Sequence, residues 1–268
     1  MRAPPGRTWL GEILWLPWSL VAWVMSITWM LWLFTSAIPL RLLMPFEKFQ
    51  LFWPHPQMGW PIRFTFSRLK TEIDPDYDRS RVSVFAMNHV GMMDACIATG
   101  SIPVPMCGLE NASHLLVPGY GWVLKMANAI PVRRGGRRYE ELAAAFRERA
   151  SRGISILTFP EAHRTKDGNV QPFKRGVFRM AREAGLPITP VCTRGAFRML
   201  PKGAITSRPS VVEVWIAPQV ETAGLSDRQL EILAERIREV MQIWIDRREK
   251  HAEIYLAPIV DDSAENVA

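Results

Sequence analysis

The stretch Val82–Ala95, VSVFAMNHVGMMDA, decides how the rest of the chain is interpreted. It opens with β-branched and aromatic residues in a pattern typical of a buried strand. His89 and Asp94 follow, so an imidazole and a carboxylate lie beyond the carboxyl end of that strand, where open α/β sheets bind their ligands. On one straight helix, residues five apart would diverge by about 140°. We therefore predict a turn that bends His89 back toward Asp94.

The alternative for this pair is structural. His89 would be a satisfied histidine in a loop, and Asp94 a helix-start residue that the helix dipole favours. A short motif alone does not separate these two interpretations. The rest of the chain has to decide between them.

The composition limits the possible partners. The chain has 268 residues, 48% of them hydrophobic, and 33 Lys and Arg against 26 Asp and Glu, for a net charge of +7. Such an excess suits phosphate-bearing substrates, an acidic membrane surface or nucleic acid. The three cysteines form no close pair, so the sequence predicts neither a disulfide framework nor a zinc site, and favours a reducing compartment.

The N-terminal region is strongly apolar. No charged residue occurs between Ile13 and Leu40, and the 21 residues between Pro17 and Pro39 are enough to cross a hydrocarbon core about 30 Å thick. Several tryptophans lie in this run, as in membrane interfaces. The next segment, 40–56, predicts a second, interfacial helix that is broken at Pro45 and ends before Pro54. We expect residues 1–58 to form a membrane-associated helical hairpin, which either dips into one leaflet or spans the membrane with its first helix.

Beyond Gly59 the sequence alternates strand and helix patterns. Such alternation predicts an α/β fold, a mostly parallel sheet flanked by helices, over residues 59–258, with a flexible acidic tail at 259–268. Strands are predicted at 62–73, 82–87, 103–107, 129–133, 154–159, 188–192 and 211–216. Helices are predicted at 93–99, 138–152, 176–184 and 226–250, with a further helix interrupted near Pro118.

Three predicted strand ends carry polar residues without an obvious structural role. They are Asn88-His89 with Asp94, the turn RRGG at 133–136, and the segment FPEAHRT at 159–165. Arginines at such a turn can bind phosphate bidentately, and glycine amides nearby add donors. Alternatively, the arginines at 133–138 are a solvated charge run, and Glu161 and Arg164 form a surface ion pair of little energetic value.

Together the three segments resemble the PlsC-like glycerolipid acyltransferases of the lysophosphatidate acyltransferase type. NHVGMMD is similar to the first block of that family, AIPVRRG to the second, FPEAHRT to the third and LPITPV to the fourth. The order and spacing match, and the resemblance covers roughly residues 59–217. Arg134 is the equivalent of the arginine in the second block.

The resemblance implies a mechanism. His89, held by Asp94, would take the proton from the free hydroxyl of a lysophospholipid, whose oxygen attacks the thioester of acyl-CoA or acyl-carrier protein without a covalent acyl-enzyme. No metal or cofactor is expected. The residues expected to bind the acceptor or support its binding are Asn88, Arg134, Glu161, Arg164 and Lys174. The expected location is an anionic membrane surface, at the cytoplasmic face of the inner membrane.

Two departures from the family pattern concern the acceptor. Ala162 and His163 replace the usual Gly and Thr, so the acceptor could be lysophosphatidate or another lysolipid such as lyso-ornithine lipid, unless His163 simply points to solvent. A serine hydrolase would need the Gly-x-Ser-x-Gly elbow, which the chain lacks. A non-catalytic, membrane-tethered module for anionic ligands would leave His89 and Asp94 unexplained, and no nucleic acid partner is expected.

Overall fold

The computed structural model describes residues 7–132 and 139–259. Its helices are α1 Trp9–Leu43, α2 Phe46–Phe52, α3 Pro54–Gln57, α4 Trp60–Arg63, α5 Asp94–Ser101, a 3₁₀ helix Ala112–Leu116, α6 Tyr120–Met126, α7 Tyr139–Ser151, α8 Arg175–Ala184, α9 Ala196–Met199, α10 Asp227–Arg247 and α11 Ala252–Leu256. Its strands are β1 Arg68–Ile73, β2 Val84–Met87, β3 Met106–Asn111, β4 Ile130–Val132, β5 Ser155–Thr158, β6 Ile188–Arg194 and β7 Val211–Ile216.

These strands form one sheet with the order β1-β7-β6-β2-β5-β3-β4. Strands β2 to β6 are mutually parallel, while β7 is antiparallel to β6 and parallel to β1. The predicted fold class, a mostly parallel sheet flanked by helices, is confirmed. The short central strand β2 is buried on both faces: Val84 belongs to one core cluster with Phe146 and Phe178, and Phe85 belongs to the other with Ile97.

The strand directions divide the loops between two edges of the sheet. The carboxyl edge holds the segments that leave β2, β3, β5 and β6 and those that enter β1 and β7: residues 64–67, 88–93, 112–119, 159–174 and 195–210. The amino edge holds the segments 74–83, 102–105, 185–187 and 217–226. Two of the predicted polar segments, 88–94 and 159–165, therefore emerge at the carboxyl edge, since they follow parallel strands. The third, RRGG at 133–136, lies outside the described residues.

The N-terminal region folds back on itself. Helix α1 has 35 residues and is about 52 Å long. The chain after it returns along the helix, because the Trp53 indole N–H donates to the carbonyl of Leu33, 3.4 Å away, and Phe66 stacks on Trp18 with ring centroids 4.1 Å apart. A predicted feature of the fold, an N-terminal hydrophobic hairpin, is present.

The predicted helix ends in this region need correction. Helix α1 contains Pro17 and Pro39 and runs on to Leu43, so the residues after Leu40 extend the first helix and do not start a second one. The second helix begins only after Pro45, which occupies its N-cap position, where its fixed φ and missing N–H cost nothing. The predicted strand from Ile62 is also too long: Pro61 and the fully buried Ile62 lie in α4, and β1 begins at Arg68.

Helix α1 presents an apolar surface to solvent. Among the described residues, α1 is a helix that is long and apolar enough to cross a membrane. In its apolar 18-residue window, 22% of the residues are buried. The buried positions are mainly small, with Ser19, Ala22, Ser26 and Ala37 against the rest of the protein. Its exposed face carries large side chains such as Leu14 and Leu20, at 71% and 53% exposure. The predicted boundaries at 58 and 258 stay predictions, and residues 260–268 lie outside the described part.

Candidate functional site

The predicted meeting of His89 and Asp94 is present in the structure. The Nδ1 atom of His89 lies 2.7 Å from Oδ2 of Asp94. His89 lies in the loop after β2, and Asp94 is the first residue of α5, so the intervening turn brings the ring back over the start of the helix. A carboxylate at Nδ1 selects the tautomer with a proton on that nitrogen, and leaves a lone pair on Nε2. The His89 side chain is 23% exposed, which keeps the ring accessible.

Asp94 is fixed by its surroundings. It is 1% exposed, and its Oδ2 atom also accepts the backbone N–H groups of Val90 at 2.7 Å and Gly91 at 3.0 Å. These donors close the turn around the carboxylate and hold the oxygen that faces the imidazole. A larger residue at position 91 would meet the carbonyl of Leu200, since an added Cβ would lie 3.0 Å from that oxygen. Glycine therefore permits the close contact between this turn and the segment after β6.

Glu161 contacts the same turn from the end of β5. It is 4% exposed; its Oε1 accepts the backbone N–H of His89 at 2.6 Å, and its Oε2 accepts that of Gln171 at 2.8 Å. Burial raises the pKa of Glu161 to about 7, although the two backbone N–H groups favour the carboxylate. The alternative interpretation, a surface ion pair of Glu161 with Arg164, has no counterpart among the described contacts. Glu161 instead joins the loops at 88–93 and 159–174.

The main chain and ring of His89 are both held by the segment 159–165. The His89 carbonyl accepts the N–H of Thr165 at 2.8 Å, so both backbone groups of His89 are bonded to this segment. The ring stacks on Phe159 with centroids 4.2 Å apart and planes inclined by 22°. Main-chain position, ring plane and Nδ1 partner are thus fixed separately, which orients Nε2 in the way a general base requires.

The middle of the segment 159–165 is exposed. Ala162 has a positive φ of 61°, in the left-handed region that glycine adopts most readily. His163 beside it is exposed, which agrees with the interpretation that it points to solvent. Arg164 is partly buried and has neither an ion-pair nor a hydrogen-bond partner among the described residues. Lys174 is exposed, and its backbone N–H donates to the carbonyl of Pro160 at 2.8 Å.

Asn88 is engaged within the protein. It is 3% exposed; its Nδ2 donates to the carbonyl of Thr193 at 3.0 Å, and its Oδ1 accepts the Thr193 N–H at 2.7 Å. The side chain thereby joins the ends of β2 and β6 directly before His89. Arg134, the expected arginine of the second segment, lies outside the described residues.

Several residues that fix the site were not predicted from the sequence. Thr193 and Gln171 contribute backbone groups, and a backbone contact leaves no signature in the side-chain pattern. Phe159 and Thr165 lie inside a segment that the sequence did single out, and a closer look at its aromatic and hydroxyl residues could have found them.

Comparisons with known proteins relate this chain to acyltransferases. A family model described as Acyltransferase matches residues 69–194. A 1-acyl-sn-glycerol-3-phosphate acyltransferase of Salmonella typhimurium is 26% identical over 170 residues, covering 63% of this chain and 69% of that protein. The crystal structure of the 1-acyl-sn-glycerophosphate acyltransferase PlsC from Thermotoga maritima has a TM-score of 0.73 at 22% identity, over 88% of this chain and 97% of that one, and shows the same fold.

This chain spans about a third to a half of the length of the plant relatives it matches, less than for the Salmonella enzyme. A chloroplastic 1-acyl-sn-glycerol-3-phosphate acyltransferase of Brassica napus is 28% identical over 122 residues, which are 45% of this chain and 35% of that protein. The residues that the family model matches, 69–194, include the segments that hold His89 and Glu161.

Proposed function

We propose that the chain is a PlsC-like acyltransferase, because a family model described as Acyltransferase matches residues 69–194. It transfers a fatty acyl group from an acyl thioester to the free hydroxyl of a lysophospholipid, with lysophosphatidate as the acceptor and phosphatidate as the product. The observation that carries the proposal is the contact of 2.7 Å between His89 Nδ1 and Asp94 Oδ2 at the carboxyl edge. The reaction needs no metal and no cofactor besides the acyl donor.

The chemical step follows from the orientation of His89. Its Nε2 lone pair accepts the proton of the acceptor hydroxyl while the oxygen attacks the thioester carbonyl, and Asp94 stabilises the imidazolium that forms. Collapse of the tetrahedral intermediate forms the ester, breaks the C–S bond and returns the proton from Nε2 to the departing sulfur, which leaves as a thiol. General-base assistance of this kind contributes about 10²–10⁴-fold.

The acceptor headgroup is bound by cations beside the base. Arg164 is partly buried and without a protein partner among the described residues, so its guanidinium is available for a phosphate. Lys174 adds a second positive charge from the start of α8, and Arg134 is assigned the same role from its place in the family pattern. Glu161 and Asn88 were expected to bind the acceptor, but we assign them a positioning role instead. Their polar side-chain atoms are already bonded to backbone N–H and C=O groups, and these bonds hold His89 in place.

The donor and the location follow from the charge and the N-terminal region. Acyl-CoA and acyl-carrier protein both present phosphate, and a basic chain of net charge +7 attracts either one. Helix α1 attaches the protein to the membrane from which the lysolipid is drawn, and the same charge favours the anionic cytoplasmic face of the inner membrane.

His89→Ala tests the mechanism. We expect acyl transfer to fall by about 10³-fold or more because the general base is lost, while membrane association is unchanged. The measurement is release of free thiol from acyl-CoA in the presence of lysophosphatidate, with product identified by chromatography. His163→Ala is the matched control, since it removes an exposed imidazole from the neighbouring segment. Near-normal turnover in His89→Ala would remove this residue as the base.

An acceptor panel tests the substrate. Lysophosphatidate, other lysophospholipids and lyso-ornithine lipid would each be offered with both acyl-CoA and acyl-carrier protein as donors. We expect the highest kcat/KM with lysophosphatidate because its phosphate monoester carries the largest charge toward Arg164. Absence of thiol release with every pair would favour a non-catalytic module that binds anionic ligands.

A further inference from the structure

Exposed apolar side chains are distributed unevenly around the sheet. Among the large hydrophobic residues that the structure describes after α4, nine are exposed, and eight of them lie at the carboxyl edge or in the 3₁₀ helix and α6 that follow it. These eight are Phe66, Met92, Leu116, Val117, Tyr120, Trp122, Ile205 and Val211; the ninth is Leu256 in α11. Within the part of the chain that follows α4, the edge that carries His89 is therefore the more apolar one.

Half of this apolar surface belongs to one short structure. The 3₁₀ helix Ala112–Leu116 and α6, which together we call the β3 hairpin, directly follow β3. Leu116 is 83% exposed and Trp122 is 62% exposed, and Val117 and Tyr120 lie between them at 46% each. Gly121 packs the two helices closely, because an added Cβ would lie 2.1 Å from the carbonyl oxygen of Leu115. The hairpin thus presents its large side chains outward on a tightly packed backbone.

Two of the other apolar residues, Phe66 and Ile205, lie at the opposite end of the strand row and meet α1. Phe66 and Ile205 flank β1 and β7, and both contact the N-terminal half of α1: Trp18 stacks on Phe66, and the Trp23 indole N–H donates to the carbonyl of Ile205 at 2.8 Å. The order of the strands places His89, after β2, and Glu161, after β5, between these residues and the β3 hairpin.

Among the described residues, the two edges of the sheet also differ in charge, with unpaired cations at the carboxyl edge and several aspartates at the amino edge. Cations at the carboxyl edge have no ion-pair or hydrogen-bond partner for their side chains within the described chain: Arg164, Lys166, Lys174, Arg198 and Lys202. The amino-edge loop 74–83 carries Asp74, Asp76 and Asp78 with two arginines. Apolar side chains, Trp and Tyr, and unpaired cations together are the composition of a surface that enters an anionic bilayer interface.

We propose that the carboxyl edge itself is seated on the lipid surface, and that the β3 hairpin inserts into the bilayer as a second contact, at the end of the strand row remote from α1. The protein would then be held on the membrane at both ends of the row, with His89 facing the lipid headgroups between them. This inference rests on the proposed membrane attachment through α1, and it does not depend on the acyl-transfer chemistry.

Site-specific labelling of the full chain tests the proposal. A cysteine is introduced as Leu116→Cys on the β3 hairpin or as Asp76→Cys at the amino edge and is labelled with an environment-sensitive fluorophore. Burial raises the pKa of Cys96 to about 11 and that of Cys107 to about 12, and raises the pKa of Cys192 further, so the native thiols label slowly at neutral pH. The probe is a phosphatidylcholine vesicle with phosphatidylglycerol and a nitroxide-bearing lipid.

We expect the label at 116 to shift to shorter emission wavelength and to be quenched at least about threefold more than the label at 76. Equal quenching at the two positions, with both proteins recovered on the vesicles, would overturn the proposal. Val117→Cys provides a second position in case the label at 116 distorts the hairpin, and it must give the same result for the proposal to stand. The assay needs no turnover, so it stands apart from the failure or success of His89→Ala.

A kinetic arm uses the double variant Leu116→Glu/Trp122→Glu, with Leu256→Glu as control. If the hairpin inserts, KM for lysophosphatidate presented in vesicles rises about tenfold, and kcat with a monomeric short-chain acceptor is unchanged. An unchanged KM in vesicles would contradict insertion, as would an equal rise in the Leu256→Glu control.

Discussion

The segments that follow β2 and β5 each supply one buried carboxylate, Asp94 at the start of α5 and Glu161 in the loop after β5, and the two carboxylates act on different parts of His89. Asp94 binds the ring at Nδ1, whereas Glu161 binds the main-chain N–H of the same residue. Asp94 also closes its own turn through Val90 and Gly91, while Glu161 spans to Gln171 ten residues away. A general base therefore has two separate requirements here. Asp94 fixes the tautomer of the imidazole ring, and Glu161 fixes the position of the main chain that carries it.

The rest of the two loops differs as well. The loop after β2 is mostly buried, whereas the loop after β5 exposes His163 and leaves Arg164 without a protein partner in the described part. Ala162, which lies between Glu161 and His163 in the chain, has a strained left-handed backbone. We infer that the first loop serves the chemistry and the second combines support of His89 with recognition of the acceptor.

Asp94→Asn addresses the ring. The N–H groups of Val90 and Gly91 keep the amide oxygen of Asn in the place of Oδ2, but this oxygen carries no net charge to stabilise the imidazolium that forms at His89. The base is therefore weakened without a change in size. We expect kcat to fall by about 10³-fold with the acceptor KM nearly unchanged, by analogy with other histidine–carboxylate pairs. Steady-state kinetics with lysophosphatidate measures both constants, and Asp76→Asn is the control. A loss confined to KM would mean that Asp94 acts on binding and not on the base.

The pH dependence of stability addresses Glu161. Its pKa in the folded protein is raised by burial to about 7, above the ordinary value of 4.5. Below pH 4.5 the Glu161 carboxyl is protonated in both the folded and the unfolded protein, and its full contribution to stability is present. As the pH rises from 4.5 through about 7, the carboxyl ionises more easily in the unfolded chain than in the folded one, and this contribution is lost. The loss in the free energy of unfolding is up to about 3 kcal/mol.

Denaturant unfolding in detergent at pH 5 and pH 8 measures this change, and Glu161→Gln removes it. The difference between wild type and variant isolates Glu161 from other titrating groups. Equal pH dependence in the two proteins would show that the backbone donors of His89 and Gln171 outweigh burial.

Much of this site could be predicted, since His89, Asp94, Glu161 and Arg164 lie in short segments that follow apolar strand patterns. The bent turn between His89 and Asp94 was also predictable, because a straight helix would have kept them apart. The role of Glu161 was not. Its partners are main-chain N–H groups from two separated segments, and only the tertiary fold brings these to one carboxylate.

The same limit applies to the N-terminal region. The apolar run and the chain reversal were predicted correctly, but prolines at 17 and 39 suggested ends that the helix does not have. Ala37 lies in a core cluster and Leu40 packs against it, so tertiary contacts on both sides of Pro39 stabilise the last turns of α1. Local sequence rules do not include such contacts.

Arg164→Ala addresses recognition by the loop after β5. Loss of one charge-assisted contact to the acceptor phosphate predicts a rise in KM of about tenfold, with kcat and thermal stability little changed, since Arg164 binds no described protein group. Kinetics with lysophosphatidate and with an uncharged monoacylglycerol give the test, because only the phosphate-bearing acceptor should respond. Lys166→Ala, a neighbouring exposed cation, is the control. An equal rise in KM for both acceptors would exclude a phosphate contact.

Ala162→Gly has the smallest expected effect. It removes the backbone strain at Ala162, which lies between Glu161, the support of His89, and Arg164, the proposed acceptor contact. At φ 61° an L-residue is disfavoured by about 1 kcal/mol, so glycine should raise the free energy of unfolding by about that amount, with Tm higher by about 2–4 °C. Gly185→Ala is the matched control, because Gly185 has φ 71° and no atom within 4 Å of an added Cβ. It should lose what Ala162→Gly gains. If activity also rises, the strain at Ala162 displaces Arg164; if only stability rises, the strain is confined to the backbone at Ala162.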